Sequence, residues 1–466
     1  MNKLFASIPL AFIAMGIAVL PQFLVLFTWI LLLVFSISVF VYDVNPLKKL
    51  PVFLCAFLVL VSLSLVNDYG IRIQENGYWY IKSFDDYIKF FPKSIDSSFY
   101  CGGTIEGIII LIFALLSVGI IRINIKTKSD CECLMNINTI LGGFVALIAL
   151  ALIFYDYKIG TVGFGAKLFG KIALESSRPI GTFLSQNIAS MYFIIQLVIS
   201  LGLFLSTIIR ILKNKKTKYS YIILLLQGFS SIVFVIVLLY CIQIKSIVAI
   251  LILGVYIVFE LFYFMIKRFS ILQASSILLS IVLLMISMIV LTVYYSDNKF
   301  KKEVLQKIEY KLEKKSIDCK YNIFSDRMYI WAIANDVFKD NKIWGCGLNC
   351  FGFVWMNYRN KYEKEHNTKL SNTICYSAHN DILQLLAETG LVGFIIVLSG
   401  VLYNIIFVIK SINSLDVINR FLIVCCVIIL LISIVDMPFR SPNILALFLV
   451  VWEILLIRIK DKISCY

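Results

Sequence analysis

The sequence predicts an all-α membrane protein that crosses the bilayer about twelve times. Of its 466 residues, 60% are hydrophobic and only 15% are charged, whereas a soluble domain carries about 25% charged residues. Apolar runs of about 20 residues, the length that crosses a bilayer as a helix, recur along almost the whole chain. The predicted spans are 4–20, 23–42, 50–66, 104–121, 137–155, 187–209, 219–240, 246–266, 271–295, 391–409, 421–436 and 443–459.

The net charge of +15 is spread over short loops between the apolar runs, without a long basic block. Binding to nucleic acid is therefore not indicated. Lysines and arginines are concentrated in alternate loops, which the positive-inside rule places in the cytoplasm. Both termini are then expected in the cytoplasm. The first apolar run is expected to be retained as a helix rather than cleaved as a signal peptide, because a second long run follows almost at once.

The longest connections all fall on the outward side, which indicates a function at the outer membrane face. Residues 1–295 are predicted to contain the first nine spans, and residues 391–466 the last three. Between them, residues 296–390 form one large outer loop with short helices. Its first part, KFKKEVLQKIEYKLEKKS, has an apolar stripe among lysines that is typical of an amphipathic helix on a lipid surface. The same stripe also fits a solvated helix that covers the loop.

The cysteines and carboxylates do not indicate a metal site. The twelve cysteines are scattered, and none has histidine or cysteine partners at the spacing of a zinc site. There is no cluster of carboxylates and no His-Glu-x-x-His motif, so neither a metal nor a cofactor is expected. A disulfide among four cysteines of the outer loop requires that this region face an oxidising compartment. These are Cys319, Cys346, Cys350 and Cys375.

Residues 377–393, SAHNDILQLLAETGLVG, contain one of only two histidines in the chain. This stretch predicts a polar turn, followed by a helix that continues into an apolar segment. His379 is expected in the first turn of this helix, where free amide donors and the helix dipole favour an anion. Asn380, Gln384 and Glu388 share one face at i, i+4 and i+8 and are expected to support the site. The same spacing also fits a purely structural histidine that caps a re-entering helix.

Four cations are expected at the same membrane face as His379. Arg178 precedes one predicted helix, Lys245 lies in a short turn between two spans, and Arg327 lies in the first turn of a helix that begins near Ser325. The fourth cation is Arg440. Snorkelling explains Arg178 and Lys245 equally well, and a salt bridge with a neighbouring carboxylate would explain Arg327.

These residue types fit the chemistry of a lipid-linked diphosphate. Such a diphosphate is an anion held at the membrane surface, and the planar fork of arginine can bind two of its oxygens at once. A neutral histidine nearby could accept the proton of an attacking hydroxyl, which contributes about 10²–10⁴-fold in rate. The diphosphate would be the leaving group, and the cations would stabilise its developing charge.

Four motifs, in this order along the chain, carry a resemblance to a known family. IGTFLSQNIASMYF has a Gly-Thr-Phe…Asn-x-x-Ala helix start, and DRMYIWAIANDVFKDNKIWGCGLNCF has an Arg-x-x-x-Trp helix with a Gly-x-Gly turn. SAHNDILQLLAETGLVG has His-Asn-x-x-Leu-Gln followed by Ala-Glu-x-Gly, and DMPFRSP has a proline-containing turn before the last helix. Together they cover most of residues 176–460. In these motifs the chain resembles the O-antigen ligase/O-antigen polymerase family of bacterial envelope glycosyltransferases.

The resemblance implies a GT-C-like helical membrane fold without a nucleotide-sugar site. It implies metal-independent transfer of a glycan from undecaprenyl diphosphate, on the periplasmic side of the bacterial inner membrane. By position, His379 would activate the acceptor hydroxyl, and Arg327 would contact the diphosphate together with Lys245 and Arg178. The family usually has Ser-Arg-Gly where this chain has Ile244, Lys245 and Ser246. Lysine keeps the charge at that position but loses the bidentate fork.

The resemblance leaves the acceptor open. Lipid A–core as acceptor defines an O-antigen ligase, and a second lipid-linked repeat unit defines an O-antigen or capsular polysaccharide polymerase. A protein serine or threonine defines a protein O-oligosaccharyltransferase. A lipid-linked oligosaccharide transporter would also fit twelve spans, but its charged residues are expected near the midplane. Cations at one face and a long outer loop favour the enzyme.

Overall fold

A computed structural model describes most of the helical part of the chain. The described residues are 2–15, 21–63, 72–75, 78–83, 86–92, 104–159, 183, 186–213, 220–243, 325–366, 370, 375, 377–411, 415–434 and 436–463. The spans predicted at 246–266 and 271–295 lie outside these residues, as do the predicted amphipathic helix after residue 299, Arg178 and Lys245.

Twelve α-helices and three short strands lie in these ranges. The first helices are α1 Asn2–Ala14, α2 Pro21–Tyr42 and α3 Val52–Leu63, followed by strands β1 Arg72–Glu75, β2 Tyr78–Ser83 and β3 Asp86–Pro92. Next come α4 Thr104–Asn124, α5 Lys128–Ile159, α6 Gln186–Leu212 and α7 Ser220–Gln243. The C-terminal helices are α8 Ser325–Asp340, α9 Phe351–His366, α10 Asp381–Lys410, α11 Val417–Ile432 and α12 Pro442–Ile463.

Seven of the described helices are long and apolar enough to cross a membrane, namely α2, α4, α5, α6, α7, α10 and α12. Three shorter apolar helices, α1, α3 and α11, accompany them. The chain is therefore a helical multi-pass membrane protein, as the apolar runs predicted. The small sheet was not predicted: β1, β2 and β3 form an antiparallel meander. Strands β2 and β3 pass close to α9.

The main hydrophobic core joins α1, α2, α4 to α7, α11 and α12. Buried amide and hydroxyl side chains connect three of these helices. Asn138 of α5 and Gln196 of α6 exchange two hydrogen bonds of 2.9 and 3.2 Å. Ser200 of α6 lies 2.7 Å from Ser231 of α7. Such pairs hold helices in register within lipid, where no water competes for them.

One end of the bundle is held by an ion-pair network around Arg458 of α12, whose side chain is fully buried. Its guanidinium donates to Asn419 at 2.7 Å and to Asp416 at 2.8 Å, both at the start of α11. It also contacts Glu132 near the start of α5 at 3.2 Å. At the same end, Lys3 of α1 pairs with Asp130 at 3.4 Å. The start of α1 and the end of α12 therefore lie on one side of the bundle.

The opposite end of the bundle carries α8, α9 and the beginning of α10. These elements enclose a second, smaller hydrophobic core around Ile333, Val337, Phe351 and Trp355. Helix α10 continues from this core into a membrane span, with a kink at Gly390. A third cluster packs α10 against α3 and α4.

Candidate active site

His379 lies in the turn immediately before α10. Its backbone has a positive φ of 48°. Asn380 is the N-cap of the helix, and its Oδ1 accepts a hydrogen bond from Leu383 N at 3.0 Å. The expectation that His379 lies in the first helical turn is therefore wrong. The Asn380 side chain accepts a hydrogen bond from a free backbone amide of the first turn. The helix therefore begins at Asp381, and His379 lies outside it.

The imidazole of His379 faces a buried carboxylate. Nδ1 of His379 lies 3.4 Å from Oδ1 of Asp436, and the two side chains are 30% and 3% exposed. Asp436 Oδ1 also accepts from Met437 N at 3.0 Å. Asp436 Oδ2 accepts from Nδ2 of Asn187, at the start of α6, at 3.3 Å. Asp436 is thus fixed by neighbours on two sides and presents one oxygen to the histidine.

Asp381, the first residue of α10, fastens the histidine turn to the segment that carries Asp436. Its backbone N donates to Ser433 O at 2.8 Å, at the C-terminal end of α11. Its side chain Oδ2 accepts from Phe439 N at 3.1 Å. These two bonds lie on either side of Asp436 in the sequence. They keep the 433–439 segment against the start of α10.

Gln384 and Glu388 form a buried chain of hydrogen bonds behind His379. Gln384 Oε1 accepts from Ala378 N at 3.1 Å, and its Nε2 donates to Glu388 Oε1 at 2.9 Å. Glu388 in turn accepts from two backbone amides before and at the start of α9, Asn349 N at 2.7 Å and Phe351 N at 3.2 Å. Glu388 therefore caps α9, and Gln384 extends that contact to the backbone beside His379.

Two glycines let the turn after α8 dock directly on α10. Gly345 and Gly390 both have positive φ, 73° and 63°. A Cβ on Gly345 would lie 2.3 Å from the Glu388 carbonyl, and one on Gly390 would lie 2.3 Å from Ile343 O. Backbone bonds of 2.9 Å from Cys346 N to Ala387 O and from Gly347 N to Glu388 O complete the contact. Gly345 and Gly347, the glycines of the Gly-x-Gly motif, lie in the turn that follows α8.

Arg327 lies in the first turn of α8, half-buried. Helix α8 packs on both α9 and α10. Ile330, three residues after Arg327, and Ala378, directly before His379, belong to the same small core. The structure thus brings the elements that carry Arg327 and His379 together in one unit. Asn380, Gln384 and Glu388 belong to this unit as well.

Arg440 ends a 3-10 helix, Pro438–Arg440, at the same site. Its charge interacts with the carboxylates of Asp381 and Glu388. Burial raises the pKa of the Cys375 thiol, and the positive charge of Arg440 acts in the opposite direction. Cys346, Cys350 and Cys375 are free thiols. Among the described residues, no group of three or more His, Cys, Asp or Glu side chains could hold a metal ion.

Comparison with known protein families gives a match over part of the chain. Residues 232–398 match the model of the O-antigen ligase family. The match supports the resemblance that the sequence motifs indicated. No curated protein matches the chain.

The O-antigen ligase match includes Lys245, Arg327 and His379. Asn380, Gln384 and Glu388 also fall within it. The family implies ligase- or polymerase-type activity in polysaccharide biosynthesis at a membrane. Asp436 and Asn187, which complete the surroundings of His379, lie outside the matched residues. The sequence motifs DMPFRSP and QNIAS contain these two residues, but nothing in the sequence alone indicated that they meet.

Proposed function

We propose that this chain is a metal-independent glycosyltransferase that moves a glycan from an undecaprenyl-diphosphate carrier to an acceptor hydroxyl. His379 acts as the general base. It accepts the proton of the acceptor hydroxyl while that oxygen forms a bond to the anomeric carbon. The bond from this carbon to the diphosphate oxygen breaks, and the electron pair leaves with the carrier diphosphate.

The pairing of His379 with Asp436 carries this proposal. A buried carboxylate opposite Nδ1 favours the tautomer with hydrogen on Nδ1, so that Nε2 is free to accept a proton. The same carboxylate stabilises the imidazolium that forms during transfer. The separation of 3.4 Å is long for a hydrogen bond, and contacts of this kind commonly shorten when substrate binds.

The cations assist the departure of the diphosphate. Arg327, Lys245 and Arg178 bind the diphosphate and stabilise the charge that it gains as the leaving group. Arg440 interacts electrostatically with Asp381 and Glu388 and favours the charged form of both carboxylates. The packing of α8 against α10 supports a shared site for Arg327 and His379, because their neighbours Ile330 and Ala378 belong to one small core.

The position of the terminal helices supports a periplasmic active face. The start of α1 and the end of α12 meet at the end of the bundle opposite His379. If the basic loops face the cytoplasm, as the positive-inside rule expects, both termini are cytoplasmic and His379 faces the periplasm of the bacterial inner membrane.

The two histidines of the chain provide a matched test of the base. With the lipid-linked donor, His379→Ala is expected to lose about 10²–10⁴-fold in glycan transfer at normal membrane levels. His366→Ala is the control, since His366 is exposed at the end of α9 and stacks on Tyr362. Equal transfer by both variants would contradict the role of His379. Translocation of the lipid-linked glycan without any glycan transfer by the wild-type protein would identify a transporter instead.

The acceptor is tested in the source organism by deleting the gene and separating the surface glycans on a gel. Lipid A–core without attached glycan identifies a ligase, and lipid A–core with a single repeat unit identifies a polymerase. Unchanged lipid-linked glycans together with loss of glycan from proteins identify a protein O-oligosaccharyltransferase.

A further inference from the structure

The turn between α8 and α9 presents two large apolar side chains outside either core. Ile343 is 58% exposed and Trp344 is 59% exposed. Lys342, directly before them, is exposed as well. In a turn surrounded by water, exposing a tryptophan and an isoleucine side by side is unfavourable.

The turn is bonded to the first residues of a membrane span. Leu391 N donates to Lys342 O at 2.8 Å, and Val392 N donates to Ile343 O at 3.3 Å. From Leu391 to Lys410, α10 has about 20 residues, which rise about 30 Å and match the hydrocarbon core. Leu391 therefore lies at one boundary of the bilayer. Leu391 and Ile395 of α10 are apolar and are 43% and 56% exposed.

Contacts with two other helices, α4 and α3, place the turn at the same depth in the bilayer. Leu348 packs on Gly107 at the start of α4, so closely that a Cβ there would lie 2.7 Å from Leu348 Cδ2. The candidate span of α4 begins at Glu106. Gly393 of α10 faces Leu60 near the end of α3. Contacts with α3, α4 and α10 thus place the turn at one end of the apolar segments of these three helices.

We propose that Lys342, Ile343 and Trp344 are seated in the lipid bilayer, at the boundary between headgroups and acyl chains. This boundary is where tryptophan is enriched in membrane proteins, and the lysine can extend towards lipid phosphates. Because Gly345 and Gly390 dock the same turn on α10, the lipid contact fixes the depth of the unit formed by α8, α9 and the start of α10. The inference is independent of the reaction proposed above.

The test uses the tryptophans of the chain as internal references. The protein is labelled with 5-fluorotryptophan and placed in nanodiscs of phosphatidylethanolamine and phosphatidylglycerol. Trp344→Phe identifies the fluorine signal of Trp344 and keeps the turn apolar. Trp29, 66% exposed on the spanning helix α2, marks lipid contact, and Trp355, 1% exposed, marks a buried ring.

Each signal is then measured with a lipid that carries a spin label near its headgroup and with a water-soluble gadolinium chelate. The Trp344 signal is expected to broaden several-fold more with the spin-labelled lipid than with gadolinium, and Trp355 is expected to respond to neither. Stronger broadening of Trp344 by gadolinium would show a water-exposed turn and overturn the proposal. Broadening by neither reagent would overturn it too, because the turn would then be covered by protein.

Discussion

Asp436 and His379 are 57 positions apart in the sequence, yet a carboxylate oxygen of Asp436 lies 3.4 Å from Nδ1 of His379. The contact depends on helices α6, α10 and α11. Asn187 of α6 holds one oxygen of Asp436, and Asp381 of α10 holds the segment on both sides of it. A side chain fixed in this way can orient an imidazole at little entropic cost, which is how a catalytic base is pre-organised.

Asp436→Asn is expected to reduce turnover about 10²-fold or more, with little change in the KM for the lipid-linked donor. The amide keeps the size of the carboxylate but removes the charge that stabilises the imidazolium and selects the tautomer. Initial rates of glycan transfer over a range of donor concentrations measure the effect. Asp340→Asn is the control, since Asp340 lies at the exposed end of α8 and contacts Lys361 at 3.7 Å. Wild-type turnover by Asp436→Asn would remove Asp436 from the mechanism.

Glu388→Gln is expected to lower stability rather than to act on the reaction directly. The carboxylate accepts three hydrogen bonds, from Gln384, Asn349 N and Phe351 N. An amide has one acceptor oxygen, so at least one buried donor loses its partner, which costs about 1–3 kcal/mol. Thermal unfolding in detergent should therefore move to lower temperature. Glu365→Gln, at an exposed position near the end of α9, should unfold as wild type does.

Much of this architecture follows from local sequence patterns. The apolar runs give the helices, because their length is set by the bilayer. The i, i+4 spacing of Gln384 and Glu388 predicts a shared face, and their side chains do bond at 2.9 Å. The Gly-x-Gly motif predicts a turn after the Arg-x-x-x-Trp helix, and Gly345 and Gly347 do lie in the turn after α8, both with positive φ.

The rest depends on contacts between distant segments, which local patterns do not contain. The N-cap of α10 is Asn380, and this choice is reinforced by Ser433 O, which accepts a hydrogen bond from Asp381 N. That choice moved His379 out of the helix. The partner of His379 could not be predicted either, since Asp436 sits in a proline-containing turn between two other helices. The sheet of β1 to β3 follows from pairing between strands rather than from any single run.

Gly390→Ala is expected to destabilise the protein well beyond the about 1 kcal/mol typical of a point substitution. Gly390 has φ 63° and ψ −166°, a region essentially restricted to glycine, where another residue costs about 1–3 kcal/mol. The new Cβ would also lie 2.3 Å from Ile343 O, a backbone atom. Gly228→Ala is the matched control. In the middle of α7, its Cβ would have its nearest contact at 3.4 Å, from Phe204, and alanine favours a helix over glycine by about 1 kcal/mol.

Size-exclusion chromatography and thermal unfolding of the detergent-solubilised variants distinguish the two glycines. Gly390→Ala should give less monodisperse protein and a lower unfolding temperature, while Gly228→Ala should equal or exceed wild type. If both variants behave as wild type, the close docking of the turn after α8 on α10 is wrong. Gly345→Ala should reproduce the loss of Gly390→Ala, because the two glycines form opposite sides of one contact.

Arg327→Lys tests whether the first turn of α8 binds the diphosphate. Lysine keeps the charge but cannot bind two oxygens at once. A hydrogen bond to a charged group contributes about 1.5–3 kcal/mol, and about 1.4 kcal/mol corresponds to tenfold in rate. The loss of one bond therefore predicts a reduction of about 10- to 100-fold in kcat/KM for the lipid-linked donor.

Lys339→Arg is the reciprocal control for this substitution. Lys339 lies at the exposed end of the same helix and pairs with Asp336 at 3.0 Å, so exchanging the two cation types there should leave kcat/KM unchanged. A reduction in Arg327→Lys alone supports the forked contact with the diphosphate. An equal reduction in both variants would indicate that α8 is sensitive to any substitution. Wild-type kcat/KM in Arg327→Lys would contradict the forked contact between Arg327 and the diphosphate. Because α8 contributes Ile330 and other residues to the small core, unfolding temperatures of both variants distinguish loss of the diphosphate contact from loosened packing of α8.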